Sequence, residues 1–164
     1  YKAVKAAIDI QGPVYIRLTR PGTDDVTDEA TPFVPGKAVV LREGTDAAIF
    51  ATGLMVTRAL KAAELLSAEG ISAAVVNFHT IKPLDEECVL SYNSKVRAIV
   101  TAEDHFVTGG LGSAVAEVIA GKPGAGFARV GVEDRFGQSG SPAKLYEEYG
   151  LTAENIAAKV KALL

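Results

Sequence analysis

Apolar positions along the chain follow two periods, and the period changes at glycines and prolines. Val56, Ala59, Leu60, Ala63 and Leu66 share one helical face and predict a helix from Leu54 to Glu69, which Gly70 ends. Residues Ser72 to Phe78 are apolar almost throughout, as expected of a strand covered on both faces. Asp85 has the position of a cap for a short helix whose first turn carries Glu86 and Glu87, the sign the helix dipole favours. Val96 to Thr101 then reads as a strand, Leu111 to about Gly121 as a helix, and Phe127 to Val132 as a strand. Ser141 before Pro142 marks another helix start. Ala153 to Leu164 forms a last helix that buries Ile156, Val160 and Leu163. Ahead of these, Ala38 to Arg42 and Asp46 to Ala51 are strands separated by Glu43-Gly44-Thr45, short enough to predict an antiparallel hairpin. Alternation of this kind implies crossover connections and a mostly parallel sheet. The expected fold is a three-layer α/β domain with a five-stranded sheet, one strand antiparallel, flanked by helices.

The first 36 residues read differently. Tyr1 to Ile10 has helical spacing, with Val4, Ala7 and Ile8 on one face, and Gly12-Pro13 stops it. Val14 to Leu18 alternates and is β-branched, so it reads as a strand. From Thr19 to Gly36 prolines, glycines and the acids Asp24, Asp25, Asp28 and Glu29 gather, as in a solvated linker between domains. These acids lack the spacing and central glycine of a calcium loop. The chain opens on Tyr1, already helical in character, and its single methionine is Met55. The expectation is a piece of a longer polypeptide: residues 1–18 the remnant of one domain, 19–36 the linker, 37–164 a domain of its own.

Bulk properties narrow the classes. A chain of 164 residues buries roughly 70% of its unfolded surface and needs no metal or disulfide to fold. A net charge of −3 argues against nucleic-acid or anionic-membrane partners. No run of apolar residues is long enough for a transmembrane helix. The lone Cys88 has no internal disulfide partner, which fits a reducing, cytoplasmic setting.

Three places carry candidate chemistry. The first is Glu103-Asp104-His105 followed by GGLGSAVAE, expected as a loop after a strand. Gly110 and Gly112, with Asp134 downstream, partly resemble a dinucleotide fingerprint, yet Val115 stands at the third glycine and six residues separate strand from glycine. Close packing of a small-residue helix accounts for the same glycines. The second is the set Glu103, His105 and His79, candidate acid/base groups or metal ligands only if the fold gathers them. No nucleophile accompanies them: Ser113 lies in no nucleophile elbow, and Cys88 has acidic neighbours. The third is Arg17 and Arg20, at and just past a strand end, where ligands collect in α/β sheets. A guanidinium there suits a phosphate; an ion pair between domains suits it equally.

The motifs GPVYIRLTRPG, Ala51-Thr52-Gly53, IKPLD at Ile81 to Asp85, the EDH and GGLGSAVAE block, and EDRFGQSG followed by YGLT resemble, in that order, the C-terminal part of transketolases, including their split two-subunit forms. They are also similar to the C-terminal domains of deoxyxylulose phosphate synthase and, more distantly, of the decarboxylase components of 2-oxo acid dehydrogenases. The resemblance implies an enzyme part that is inactive alone. In the complete dimeric transferase, a two-carbon ketol unit passes between sugar phosphates using thiamine diphosphate and a divalent metal, Mg or Ca. Cofactor and metal lie on domains upstream of Tyr1, so none is expected in this chain. Residues 1–18 are then the end of the pyrimidine-binding domain, and the partners are a second copy and the missing N-terminal domains or subunit. Arg20 matches the family arginine that holds the substrate phosphate, and Arg17 matches a neighbouring arginine found in the relatives.

Overall fold

The computed structural model describes residues 1–20 and 22–164, so Pro21 of the expected linker lies outside the described residues. Its strands are β1 (Val39–Arg42), β2 (Ala47–Ala51), β3 (Ala73–Asn77), β4 (Ala98–Phe106) and β5 (Gly126–Val132). They form a five-stranded sheet in the order β1-β3-β2-β4-β5. The helices are α1 (Lys2–Ala7), α2 (Met55–Ala68), α3 (Glu86–Lys95), α4 (Leu111–Ile119), α5 (Pro142–Glu148) and α6 (Ala153–Leu163).

The all-apolar strands earn their sequence by their position: β2, at the centre, is buried at every residue. Ala47, Ile49 and Ala51 face one layer, packing with Met55, Ala59 and Leu66 of α2 and with Ile156 and Val160 of α6. Ala48 and Phe50 face the other, packing with Val89 and Tyr92 of α3 and with Leu111 and Val115 of α4. Phe50 stacks in tilted fashion on Phe78, 4.8 Å between centroids, and edge-on to Tyr92 at 5.7 Å. The three-layer α/β domain with one antiparallel strand stands as expected. Asp85 caps α3 by accepting from the Cys88 amide at 3.2 Å, and its other oxygen accepts from Ala38 N at 2.9 Å. One carboxylate thus ties the residue before β1 to α3.

Two expectations are corrected. β1 and β2 form no hairpin: β1 pairs antiparallel with β3, and β3 lies between them. The short connection crosses the start of β3 instead, where Thr45 and Asp46 amides both donate to the Ser72 carbonyl. Val14 to Leu18 forms no strand. Its alternation is real, but no strand of the described sheet lies beside it to complete a ladder, and Tyr15 and Leu18 stand 88% and 83% exposed. The helix before it is also shorter than expected, ending at Ala7.

The sheet order reverses at β2. From β2 the chain passes through α2 to β3 on one side, then through α3 back across to β4 on the other. The crevice outside the carboxyl ends of β2 and β4 is therefore the place where a fold of this kind collects ligands.

Candidate functional site

At that crevice β4 runs on through Glu103, Asp104 and His105, which were expected in a loop. Its pairing with β2 stops at Ala102. Pairing with β5 jumps from Ala102 opposite Val130 to Phe106 opposite Val132. Residues 103–105 are thus a bulge, the device by which a strand re-aims side chains near a site. Gly131 lies beneath it; a Cβ there would stand 2.8 Å from the His105 carbonyl.

Each member of the bulge points somewhere different. Glu103 turns inward, 1% exposed, to the N-terminus of α4. Its Oε2 accepts from Leu111 N and its Oε1 from Gly112 N, both at 2.8 Å. A side chain at Gly110 would put Cβ 1.9 Å from that Oε2. The glycines therefore make room for a carboxylate belonging to the chain itself. This disposes of the dinucleotide reading: the amides a pyrophosphate would need are taken, while Glu133 and Asp134 stand exposed after β5. His105 Nδ1 contacts the Phe106 carbonyl at 2.8 Å, and since a carbonyl only accepts, that nitrogen carries the proton. Asp104 offers its main-chain carbonyl outward, and both terminal nitrogens of Arg17 donate to it at 3.2 Å. Three residues further on, Arg20 is exposed, with no hydrogen bond or ion pair among the described residues.

The other candidates disperse. His79 stacks on Phe33 of the linker, 4.2 Å between centroids, and contacts Thr80 Oγ1 at 2.9 Å; burial lowers its pKa and keeps it neutral. Ser113 Oγ accepts from the Gly109 amide at 2.8 Å, a structural bond inside the glycine turn. Among the described residues no group of three or more His, Cys, Asp or Glu side chains converges as a metal site. Asp28 of the linker accepts from both the amide and hydroxyl of Thr31, at 2.7 and 2.6 Å, and these bonds lower its pKa. Burial, then the charge of Asp85, pushes the Cys88 thiol up to about 11. Iodoacetamide is therefore expected to alkylate Cys88 in the native protein at about one-hundredth of the rate of an exposed cysteine at mildly alkaline pH. A mass-spectrometric time course checks this, and equal rates would refute it.

The structure also adds a pair that sequence spacing could not reveal. Arg58 of α2 lies 4.0 Å from the ring centroid of Tyr146 on α5. Burial and then the charge of Asp104 raise the Tyr146 pKa, while Arg58 and Arg17 oppose them. Two arginines, a phenol and an aspartate therefore share the mouth of the crevice. No helix among the described residues is long and apolar enough to cross a membrane.

This is an α/β domain with a carboxylate-capped glycine turn and an arginine, Arg17, fastened to the bulge at the end of β4. Residues 36–156 match the family described as transketolase, C-terminal domain, and the chain belongs to that family. It is 51% identical over 88% of its length to a 6-deoxy-6-sulfo-D-fructose transketolase subunit of Clostridium sp. (strain MSTE9), covering 45% of that protein. It is 42% identical over 98% of its length to a 1-deoxy-D-xylulose-5-phosphate synthase of Heliobacterium modesticaldum (strain ATCC 51547 / Ice1), covering 25% of it. A solved structure described as a split gene transketolase, inactive β4 tetramer, superposes with a TM-score of 0.94 at 48% identity, over 99% of this chain and 53% of that one. The chain thus spans half or less of the length of these two relatives.

Proposed function

We propose that this chain is the C-terminal portion of a transketolase that moves a two-carbon ketol unit between sugar phosphates, with Arg20 holding the substrate phosphate. The observation that carries this reading is the segment from Val14 to Arg20. It leaves Tyr15, Leu18 and Arg20 in solvent, beside a domain whose Glu103 carboxylate is already bonded to the α4 amides. Large apolar side chains exposed on a short segment mark a surface meant to be covered. On this reading residues 1–18 complete the pyrimidine-binding domain, and the exposed side chains pack there once the N-terminal part, on the same or a companion polypeptide, is present. The complete enzyme is a cytoplasmic homodimer, and the isolated segment has no activity.

Members of the family use thiamine diphosphate, but the described residues of this chain do not fit it. The glycine-rich N-terminus of α4 is filled by Glu103, and among the described residues no group of three or more His, Cys, Asp or Glu side chains converges to hold an accompanying Mg or Ca ion. The cofactor and its metal belong on the N-terminal part, and the carbon–carbon chemistry is the cofactor's. This chain's share is to hold the far end of the sugar. That matters because binding energy from a remote group orients the reacting carbons.

A sulfonated sugar is the second substrate class worth testing. The Clostridium relative is named for a sulfo-fructose, and a sulfonate offers a guanidinium three terminal oxygens as a phosphate does. The experiment is Arg20→Ala in the complete enzyme. Loss of a charge-assisted contact predicts a roughly 10- to 100-fold rise in KM for the oxyanion-bearing sugar, with the better of phosphorylated and sulfonated donors naming the class. An unchanged KM for both would reduce the chain to scaffolding.

A further inference from the structure

Arg17 and Arg20 lie three residues apart, but their surroundings differ in kind. Arg17 directs both terminal nitrogens at one main-chain oxygen, that of Asp104, across 87 positions of sequence. That oxygen is available because Asp104 sits inside the β4 bulge, past the last residue paired with β2 and within the gap in pairing with β5. The bulge is itself held from three directions. Glu103 is locked to the α4 amides, His105 Nδ1 holds the Phe106 carbonyl, and Gly131 lets the chain pass close above β5. The EDH motif and the glycines after it thus produce one outward-facing carbonyl at a rigid point of the C-terminal domain. A forked guanidinium is well matched to such an acceptor, whereas a lysine ammonium, a point charge, is not.

Resting on the reading that Arg20 holds the substrate oxyanion, we infer that Arg17 is a positioning residue: it fastens the Arg20-bearing segment to the Glu103–His105 bulge and so sets where the phosphate arginine stands. A chain of three residues spans at most about 10 Å. Pinning the Arg17 guanidinium therefore keeps residue 20 near the Asp104 bulge at the mouth of the crevice. Through this contact the C-terminal domain, which carries no reacting group, takes part in substrate affinity. The charge of Arg17 reaches the oxyanion only as background, since its donors are directed at Asp104.

The test uses the complete enzyme, with ribose 5-phosphate and unphosphorylated ribose as probe acceptors. Arg17→Ala raises KM for ribose 5-phosphate about tenfold, the scale of a displaced binding group, with kcat within about twofold and KM for ribose unchanged. Arg17→Lys recovers only part of the loss. In an Arg20→Ala background, Arg17→Ala adds less than about twofold, because its effect passes through Arg20. A full further tenfold loss in that background overturns the inference and makes Arg17 a direct ligand. Equal effects on ribose and ribose 5-phosphate overturn it as well, as does an Arg17→Ala enzyme with unaltered KM. If Arg20→Ala itself leaves KM untouched, the substrate-anchor reading falls first and takes this one with it, so the two failures are told apart. Unfolding midpoints of the single variants matching the parent's confirm that the effects are local.

Discussion

Glu103→Ala is expected to lower the unfolding free energy by about 3 kcal/mol, from two buried amides each worth roughly 1–3 kcal/mol when orphaned. The carboxylate, 1% exposed, is the acceptor for both Leu111 N and Gly112 N. It also places a negative charge at the positive end of α4. Two effects moderate the loss. Removing a buried charge relieves its own desolvation, and a water entering the vacated polar space recovers part of the bonding. For a domain of this size the melting temperature falls by roughly 6–12 °C. Glu103→Gln keeps the shape but offers one acceptor and turns an amide nitrogen toward the second donor, so an intermediate loss follows. Urea unfolding of the three proteins settles the ranking. A loss under about 1 kcal/mol for the alanine variant would mean the carboxylate is dispensable, and the α4 N-terminus would again be a candidate anion site.

That carboxylate also shows where sequence reading stops. Apolar runs located β2, β3 and β4 because burial on both faces writes itself into consecutive residues, while the half-buried edge strand β5 was marked by a shorter apolar run. Capping chemistry located the start of α3 at Asp85 because it is local, three residues from donor to acceptor. The destination of Glu103 was not legible: its partners lie eight and nine residues on, and the same glycines suit a bound phosphate or a captured side chain until the fold chooses. Arg17 meeting Asp104 and Arg58 meeting Tyr146 depend on elements far apart in sequence, which no periodicity encodes. The Val14 to Leu18 alternation misled for a related reason, since a strand is a property of a pair and its partner is not in this sheet. The order of motifs, by contrast, pointed to the transketolase C-terminal domain, which the match over residues 36–156 supports.

The β1–β2 connection carries the other large expected effect. Gly44→Ala should cost about 3 kcal/mol or more, at the upper end for overpacking. A Cβ at Gly44 would fall 2.1 Å from Ala74 N and 2.2 Å from the Ala73 carbonyl carbon. Those atoms are main chain of β3, which is paired on both sides, by β1 and by β2. They cannot step aside as a side-chain tip would. The crossing is also stitched in place: Asp46 N donates to the Ser72 carbonyl at 2.8 Å, and Ser72 N returns a bond to Asp46 Oδ2 at 2.8 Å. This close passage lets four residues, 43–46, carry the chain across the start of β3 and leave β3 between β1 and β2, so the substitution strikes the topology itself. Gly53 provides the contrast. Its φ of +58 strains an alanine, but nothing lies within 4 Å of the added Cβ, so Gly53→Ala should cost only roughly 1–2 kcal/mol. Paired urea titrations decide between steric and conformational cost: if Gly44→Ala loses no more than Gly53→Ala, the chain crosses β3 more loosely than these contacts require.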